Sequence, residues 1–385
     1  MDFELPDDIA AIRSAVRELC AAFPGAYWRD LEPDGYPTAF VQELTRHGWL
    51  AALIPEKYGG SGLPLGTASV ILEEISATGG NPSACHAQMY VMGTILRHGS
   101  EAQKLAYLPL VASGELRLQA FGVTEPNAGS DTTRITTFAR RTDSGYIVDG
   151  QKIWTSRAEH SDLMVLLART TPVTAIAQKT DGLSVFLVDM RERGSELTIQ
   201  PIRTMMNHST TEIFIDGLRL PADALIGEEG KGFRYILDGM NAERILIAAE
   251  CIGDGRFFLD RATEYAKERI VFGRAIGANQ GIQFPLSRAH MAVQAADLMR
   301  WKAAWLYDSG QPCGAAANMA KFLASEASWQ SANAALDTHG GLGFAAEYDI
   351  ERKFRETRLY QIAPVSNNLV QSFVAEHVLG LPRSY

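Results

Sequence analysis

Apolar positions recur at three- and four-residue intervals from Pro6 to about Gly114. The segments AIRSAVRELCAAF, AFVQELTRHGWLAAL, ASVILEEISAT and EAQKLAYLPLVASG carry that pattern, which predicts helices. Gly- and Pro-rich breaks such as EKYGGSGLPLG and GGNPS separate them. Near Leu116 the texture changes. RLQAFGVTE, ITTFARRTDSGYIVDGQKIWTS, DLMVLLART, LSVFLVDM and TTEIFIDGLRLP are rich in Val, Ile, Thr and Phe, and turns such as Asp143-Ser144-Gly145 and Asp181-Gly182 join several of them. This predicts an antiparallel all-β domain. Helical periodicity returns after Gly230 and persists to the segment NLVQSFVAEHVLGL, with the lengths and short connections of an antiparallel bundle.

The expected fold class is therefore α+β and multidomain. Residues 1–115 form an N-terminal α-helical domain, 116–227 a middle antiparallel β domain, and 228–385 a C-terminal four-helix bundle. A chain of 385 residues agrees with two or three domains. Its net charge of -9 argues against nucleic-acid or anionic-membrane binding. Cys20, Cys85, Cys251 and Cys313 have no CxxC or metal spacing, which fits buried thiols in a reducing cytoplasm. The acidic, amphipathic start MDFELPDDIAAIRSAV reads as neither a signal nor a transit peptide, and no apolar run is long enough to span a membrane.

Four segments carry candidate chemistry. FGVTEPNAGSDTT, residues 121–133, offers backbone N–H groups and hydroxyls to a polar ligand. GQKIWTS, residues 150–156, sets an indole beside hydroxyls, as covering an aromatic cofactor requires. RIVFGRAIGANQ, residues 269–280, combines Arg and Gln with a stacking surface at Phe272. In the segment from Asp337 to Asn368, Gly340 and Gly341 end a helix and admit an anion close to backbone. Each has a plainer alternative: a turn-rich hairpin, a core tryptophan, a solvated helix end, a glycine helix stop. His86, His160, His208 and His339 lack paired metal spacing and read as structural or solvent-facing.

Taken together, the segments are more specific. GVTEPNAGSD, GQKIW, the Glu-Arg pair at 243–244, RIVFGRAIGANQ and HGGLGFAAEYDIERKFRETR stand in order across nearly the whole chain. The chain resembles the acyl-CoA dehydrogenase family, whose architecture is also α, β, α. The resemblance implies FAD as cofactor, with Phe121, Val123 and Thr124 lining the flavin ring. Trp154 then packs beside the ring on the face away from substrate, next to Ser156 at a position more often Thr. Ser130 is placed near the pantetheine or phosphate end of substrate. Arg269, Phe272 and Gln280 look like residues that reach the adenine dinucleotide half of FAD in a neighbouring subunit. Asp337, Gly340 and Gly341 match the segment that contacts its pyrophosphate, and Ser366 and Asn368 are further cofactor candidates. Asp337 stands where Gln is usual, so direct contact by that carboxylate is disfavoured. Sharing of sites between subunits implies a homotetramer, a dimer of dimers.

The reaction that the resemblance implies is α,β-dehydrogenation of an acyl-CoA thioester to the trans-2-enoyl-CoA, with electrons passed to an electron-transferring flavoprotein. Many relatives place the base, a Glu, in a YEGT-like turn, where this chain reads IAPVSNN with Pro364 in the Glu position. Proline accepts no proton. Members resembling isovaleryl- and long-chain acyl-CoA dehydrogenases place the base on the long helix that opens the last domain, directly before an Arg. Asn241-Ala242-Glu243-Arg244 occupies that place, 25 residues before Arg269. Glu243 is the expected base, with Arg244 and Asn241 assisting in the active-site loop and substrate binding. Met240, Leu246 and Ile247 give Glu243 a partly apolar flank that disfavours its charged form. The pocket base is expected partly from His86, Gln88, Met89 and Tyr90, which do not define one acyl chain. An acyl carrier protein thioester dehydrogenase, an acyl-CoA oxidase and a noncatalytic FAD scaffold stay open on the same fold. The expected setting is a bacterial cytoplasm.

Overall fold

The structure, a computed structural model, describes residues 7–383, so Met1–Pro6 of the acidic start lie outside it. The first helices are α1 (Asp7–Ala21), α2 (Gly25–Asp30), α3 (Thr38–Arg46), α4 (Leu65–Ala77), α5 (Ser83–His98) and α6 (Glu101–Ser113). The segment AFVQELTRHGWLAAL is not one helix. Gly48 adopts φ +77 after α3, a conformation without a Cβ penalty only for glycine, and the chain restarts as a short 3-10 turn. Ser100 and Gln103 form a reciprocal capping box that starts α6, and Gly114 ends it at φ +81.

Eight strands follow: β1 (Leu118–Gly122), β2 (Phe138–Thr142), β3 (Gly145–Ser156), β4 (Leu163–Arg169), β5 (Leu183–Asp189), β6 (Leu197–Pro201), β7 (Thr210–Pro221) and β8 (Leu225–Ile226). They form one sheet in the order β6-β7-β3-β2-β4-β5-β8, with β1 also on β4. The sheet is not wholly antiparallel as expected: β1 and β2 both pair with β4 in parallel. Neither pair is joined by a tight turn, so no hairpin dictates its direction. β4 is buried along its whole length, as a two-sided strand is, and reads LMVLLAR without alternation. Its core partners include Ala120, Val148, Phe186 and Ile213.

The remaining elements are α7 (Gly232–Glu268), the hairpin β9 (Ile270–Val271) and β10 (Arg274–Ala275), α8 (Gln280–Asp308), α9 (Gly314–His339), α10 (Ile350–Arg358) and α11 (Asn367–Phe373). Among the described residues, three long helices and two short ones make up the C-terminal helical domain that was expected. α8 starts at Gln280, after Asn279. Pro285, the sixth residue of α8, lies inside the helix and supplies no N–H to the Gly281 carbonyl one turn earlier.

The contacts group the chain into two compact units. One takes the chain up to Glu32, Pro64–Pro82 and everything from Asn241 on; the other takes Pro33–Leu63 and Ser83–Met240. In the first, Glu73 of α4 is fully buried and accepts from Arg13 of α1 at 2.8 Å and Arg300 of α8 at 2.9 Å. A buried carboxylate so surrounded fixes three helices, because its charge is stable only where guanidinium groups meet it. In the second, α5 packs on β1, with the Tyr90 and Phe121 rings 5.4 Å apart, edge to face.

Candidate active site

Within the β-containing unit, Gly122 ends β1 between Met164 and Leu166. A Cβ there would come within 3.1 Å of the Met164 sulfur and 3.2 Å of Leu166. The close packing carries the chain into the loop that begins at Val123. That loop is built over a buried carboxylate. Glu125 accepts from the Thr136 N–H at 2.6 Å, the Thr136 hydroxyl at 2.9 Å and the Thr137 N–H at 2.9 Å. Its other partner is the Lys152 ammonium, also at 2.9 Å. Burial opposes the charge on Glu125, but Lys152 and these donors outweigh it and hold the carboxyl down at about 2. Burial in turn draws Lys152 down to about 8. Arg169, buried at the end of β4, donates to the carbonyls of Thr133, Ile135 and Asp181 and pins the far side of the loop.

Trp154 is not a core residue. The β3–β7 register slips between Ile153 and Thr155, which makes Trp154 the extra residue of a bulge at φ +61. A bulge re-aims its side chain out of the strand's alternation. The indole is accordingly 57% exposed beside buried Thr155, whose hydroxyl has no hydrogen bond among the described residues. An open aromatic face, a neighbouring orphan hydroxyl and half-buried Phe121, Val123, Thr124 and Ser156 suit a planar heteroaromatic ring such as the flavin. Ser130 is exposed in the same loop.

In the other unit, Glu243 lies on α7 and is buried, 9% exposed. Leu246 and Ile247 are buried with it, while Met240 is half-exposed. Arg244 donates from Nη1 to Asn241 Oδ1 at 3.0 Å, and its Nε is buried without a hydrogen bond among the described residues. Burial lowers the Arg244 pKa, and the neighbouring Glu243 charge opposes that shift. On α9, buried Lys321 donates to the Val365 carbonyl at 2.7 Å and to Asn367 Oδ1 at 2.8 Å. Tyr360 donates to Glu250 of α7 at 2.7 Å. The segment from Tyr360 to Asn367, which contains Pro364, is thus tied to α9 and α7 by buried side chains.

The distal candidates are surface residues. Arg269, Gln280, Asp337 and Asn368 are exposed. Phe272 is fully exposed at the tip of the β9–β10 hairpin, where Phe272 and Gly273 both take positive φ. Gly340, at φ +58, and Gly341 follow α9, and a Cβ at either would meet no atom within 4 Å. That open backbone suits the approach of a pyrophosphate. Ser366 caps α11, its hydroxyl accepting from the Leu369 N–H at 3.3 Å. His339 Nδ1 lies 2.8 Å from the Ala335 carbonyl, and its ring stacks on Tyr265, a structural placement. All four cysteines are buried and free, and no group able to hold a metal occurs among the described residues.

Sequence reasoning missed Glu125, Lys152, Arg169, Lys321 and Tyr360 as organisers. Glu125 lies in GVTEPNAGSD and Lys152 in GQKIW. The available signal was that a charged residue in an apolar β segment requires a buried partner.

Models of the acyl-CoA dehydrogenase N-terminal, middle and C-terminal domains match residues 6–115, 120–218 and 230–379. The acyl-CoA dehydrogenase fadE12 of Mycobacterium bovis is 38% identical over 381 residues, 97% of each chain. Among solved structures, a glutaryl-coenzyme A dehydrogenase in complex with glutaryl-CoA matches with a TM-score of 0.90 at 30% identity, covering 100% of this chain and 98% of that one. PigA, solved with FAD and proline, matches with a TM-score of 0.92 at 26% identity over 99% of this chain and 100% of that one. Three domains matched in order and identity sustained along the full length show that the chain belongs to the acyl-CoA dehydrogenase family, as a flavin oxidoreductase whose cofactor is FAD.

Proposed function

We propose that the chain dehydrogenates an acyl-CoA thioester between its α and β carbons to the trans-2-enoyl-CoA, with Glu243 as the base. The observation that carries this reading is a buried carboxylate beside a guanidinium on α7 in a chain whose other base position holds Pro364. FAD, when bound, supplies the acceptor for the two electrons and the β hydrogen. Glu243 takes the α proton. Its burial keeps the carboxylate from being fully solvated, so that it stays a competent base. Arg244, held by Asn241, keeps a positive charge next to that carboxylate and orients it. Arg244 and Asn241 are also offered to substrate, as is Ser130 in the loop after β1. Phe121, Val123, Thr124, Trp154 and Ser156 hold the ring. Arg269, Phe272, Gln280, Gly340, Gly341, Ser366 and Asn368 serve the rest of the cofactor, and the exposed Asp337 carboxylate stays off the pyrophosphate.

The assembly in this reading is a homotetramer. Two features support it: a fully exposed phenylalanine on the β9–β10 tip, and an apolar stripe on α8 formed by Phe284, Met291, Leu298 and Trp305. The electron acceptor is an electron-transferring flavoprotein, and the setting is the cytoplasm, which suits four buried free thiols. No helix among the described residues is long and apolar enough to cross a membrane.

Anaerobic bleaching of the flavin by a panel of acyl-CoAs tests the proposal. Wild type should bleach, and Glu243→Gln should slow bleaching by about 100-fold or more, as loss of a general base does. Equal rates would remove Glu243 from the role. Bleaching by acyl carrier protein thioesters alone would move the substrate class, and rapid reoxidation by oxygen with peroxide release would make the enzyme an oxidase.

A further inference from the structure

We propose that Glu125 and Lys152 are positioning residues for FAD: their buried ion pair sets the backbone of Val123 and Thr124 so that the Thr124 N–H is presented to the flavin. The inference rests on the placement of the ring along residues 121–124 given above. The geometry runs through two carbonyls. Lys152 Nζ donates to the Val123 carbonyl at 3.1 Å while bonded to Glu125 at 2.9 Å. The Ile153 N–H donates to the Thr124 carbonyl at 2.9 Å. Both carbonyls are therefore turned toward β3. A trans peptide sets its N–H opposite its C=O, so the Thr124 N–H points away from Lys152. It has no hydrogen bond among the described residues. A half-buried N–H without a partner is costly unless a ligand or water accepts from it.

Glu125 is what holds Lys152 in place. Lys152 is wholly buried, and Glu125 is its acidic partner. Glu125 itself is fixed by three donors from Thr136 and Thr137 across the loop. Each end of the loop is thus locked to the other through one carboxylate. A neutral side chain at either position releases the Val123 carbonyl from its inward direction.

The test compares FAD dissociation constants and flavin absorption envelopes of purified holoenzymes. Glu125→Gln and Lys152→Met should each weaken FAD binding by about tenfold or more and shift the envelope, as loss of one charged hydrogen-bond partner does. The double variant should weaken it little further, because both single changes break one device. Arg191→Met, which breaks the exposed pair with Asp189 in the same unit, should leave affinity unchanged. If Lys152→Met does not fold, Glu125→Gln decides; Thr136→Val removes one donor and keeps both charges, and should show a smaller loss. A pair that only supports the fold would lower the melting temperature and leave affinity and spectrum as they were, which overturns the inference. Thr124→Pro, which removes that N–H itself, separates the two readings. If it weakens FAD binding while the charge variants do not, the positioning role fails and the ring's placement stands. If it too has no effect, the placement fails and takes the inference with it.

Discussion

Lys321 donates a hydrogen bond to Asn367 Oδ1 at 2.8 Å, and that contact joins the middle of α9 to the start of α11. Asn367 completes the junction through its amide, which donates to Glu326 at 2.7 Å and Ser325 at 3.1 Å. Lys321→Met takes the charged donor from the Val365 carbonyl and leaves buried Asn367 Oδ1 with only the Ser325 hydroxyl, at 3.2 Å. The expected cost is about 2–4 kcal/mol, the range for stripping one partner from a buried charged hydrogen-bond set. Urea unfolding at pH 7 measures it. The deficit should also grow with pH. Burial draws Lys321 down to about 8 from 10.5, so between those values the unfolded chain holds more of this proton than the folded one. Wild-type stability gains from this group as pH rises through that window, and the methionine variant has no such gain. A gap that narrows from pH 8 to 10 would contradict the assignment.

Trp154 separates stability from cofactor binding. A tryptophan at φ +61 carries a backbone cost of about 1–3 kcal/mol. Its indole, 57% exposed, returns little burial in exchange. Trp154→Gly should therefore leave the flavin-free protein as stable as wild type or more so, while FAD dissociates faster and the flavin's visible circular dichroism changes. Scanning calorimetry of both forms reads the two effects. A loss of about 3–5 kcal/mol in the flavin-free protein, the usual cost of truncating a core aromatic, would mean that the indole is buried structure.

Glu125 gives the β-containing unit an acid limit. Its carboxyl sits at about 2, below the ordinary 4.5, because Lys152 and the Thr136 and Thr137 donors outweigh burial. A depressed carboxylate contributes stability that is complete above its unfolded value and is lost as pH falls through the folded one. The advantage of wild type over Glu125→Gln should be constant between about pH 5 and 7 and shrink progressively from 4.5 toward 2. Chemical denaturation at half-unit steps of pH follows the difference. An advantage unchanged at pH 3 would show that the carboxylate's charge is not what matters.

The sequence carried the succession of elements well, because long periodic runs bury one face wherever they are placed. α7 was legible almost to its ends, and the strands declared themselves through β-branched residues. Direction was not legible. Alternation along β1 or β2 is the same whether β4 runs with it or against it, so the two parallel pairs had no signal. The break after α3 was visible only as Gly48, one glycine among many. At the site, Trp154 was identified, but its exposure depends on a bulge. That bulge comes from the pairing of β3 with β7, more than fifty residues apart in sequence. Lys321 and Asn367 lie 46 positions apart, and nothing in either neighbourhood marks one as the other's partner.

The stripe on α8 leads to the last prediction. Ala289, Val293, Ala296, Arg300 and Ala303 make the buried face of this helix. Phe284, Met291, Leu298 and Trp305 follow one another at intervals of seven and are between 49% and 62% exposed. At 100° per residue the two sets lie on opposite sides of the helix. A helix apolar on both sides is an interior helix of something larger. A seven-residue repeat keeps a nearly straight seam, which a second helix can follow over several turns. Leu298→Glu places a carboxylate in the middle of that seam, where pairing two copies would desolvate it without a cation to meet it. Light scattering after size exclusion should show the wild type as an assembly and Leu298→Glu as a smaller species, with the far-UV spectrum of the subunit retained. Lys179→Glu, a charge change at an exposed position outside α8, serves as the control for charge alone. An unchanged mass for Leu298→Glu would mean that the assembly is built on another surface, and would leave the β9–β10 tip with Phe272 as the place to look.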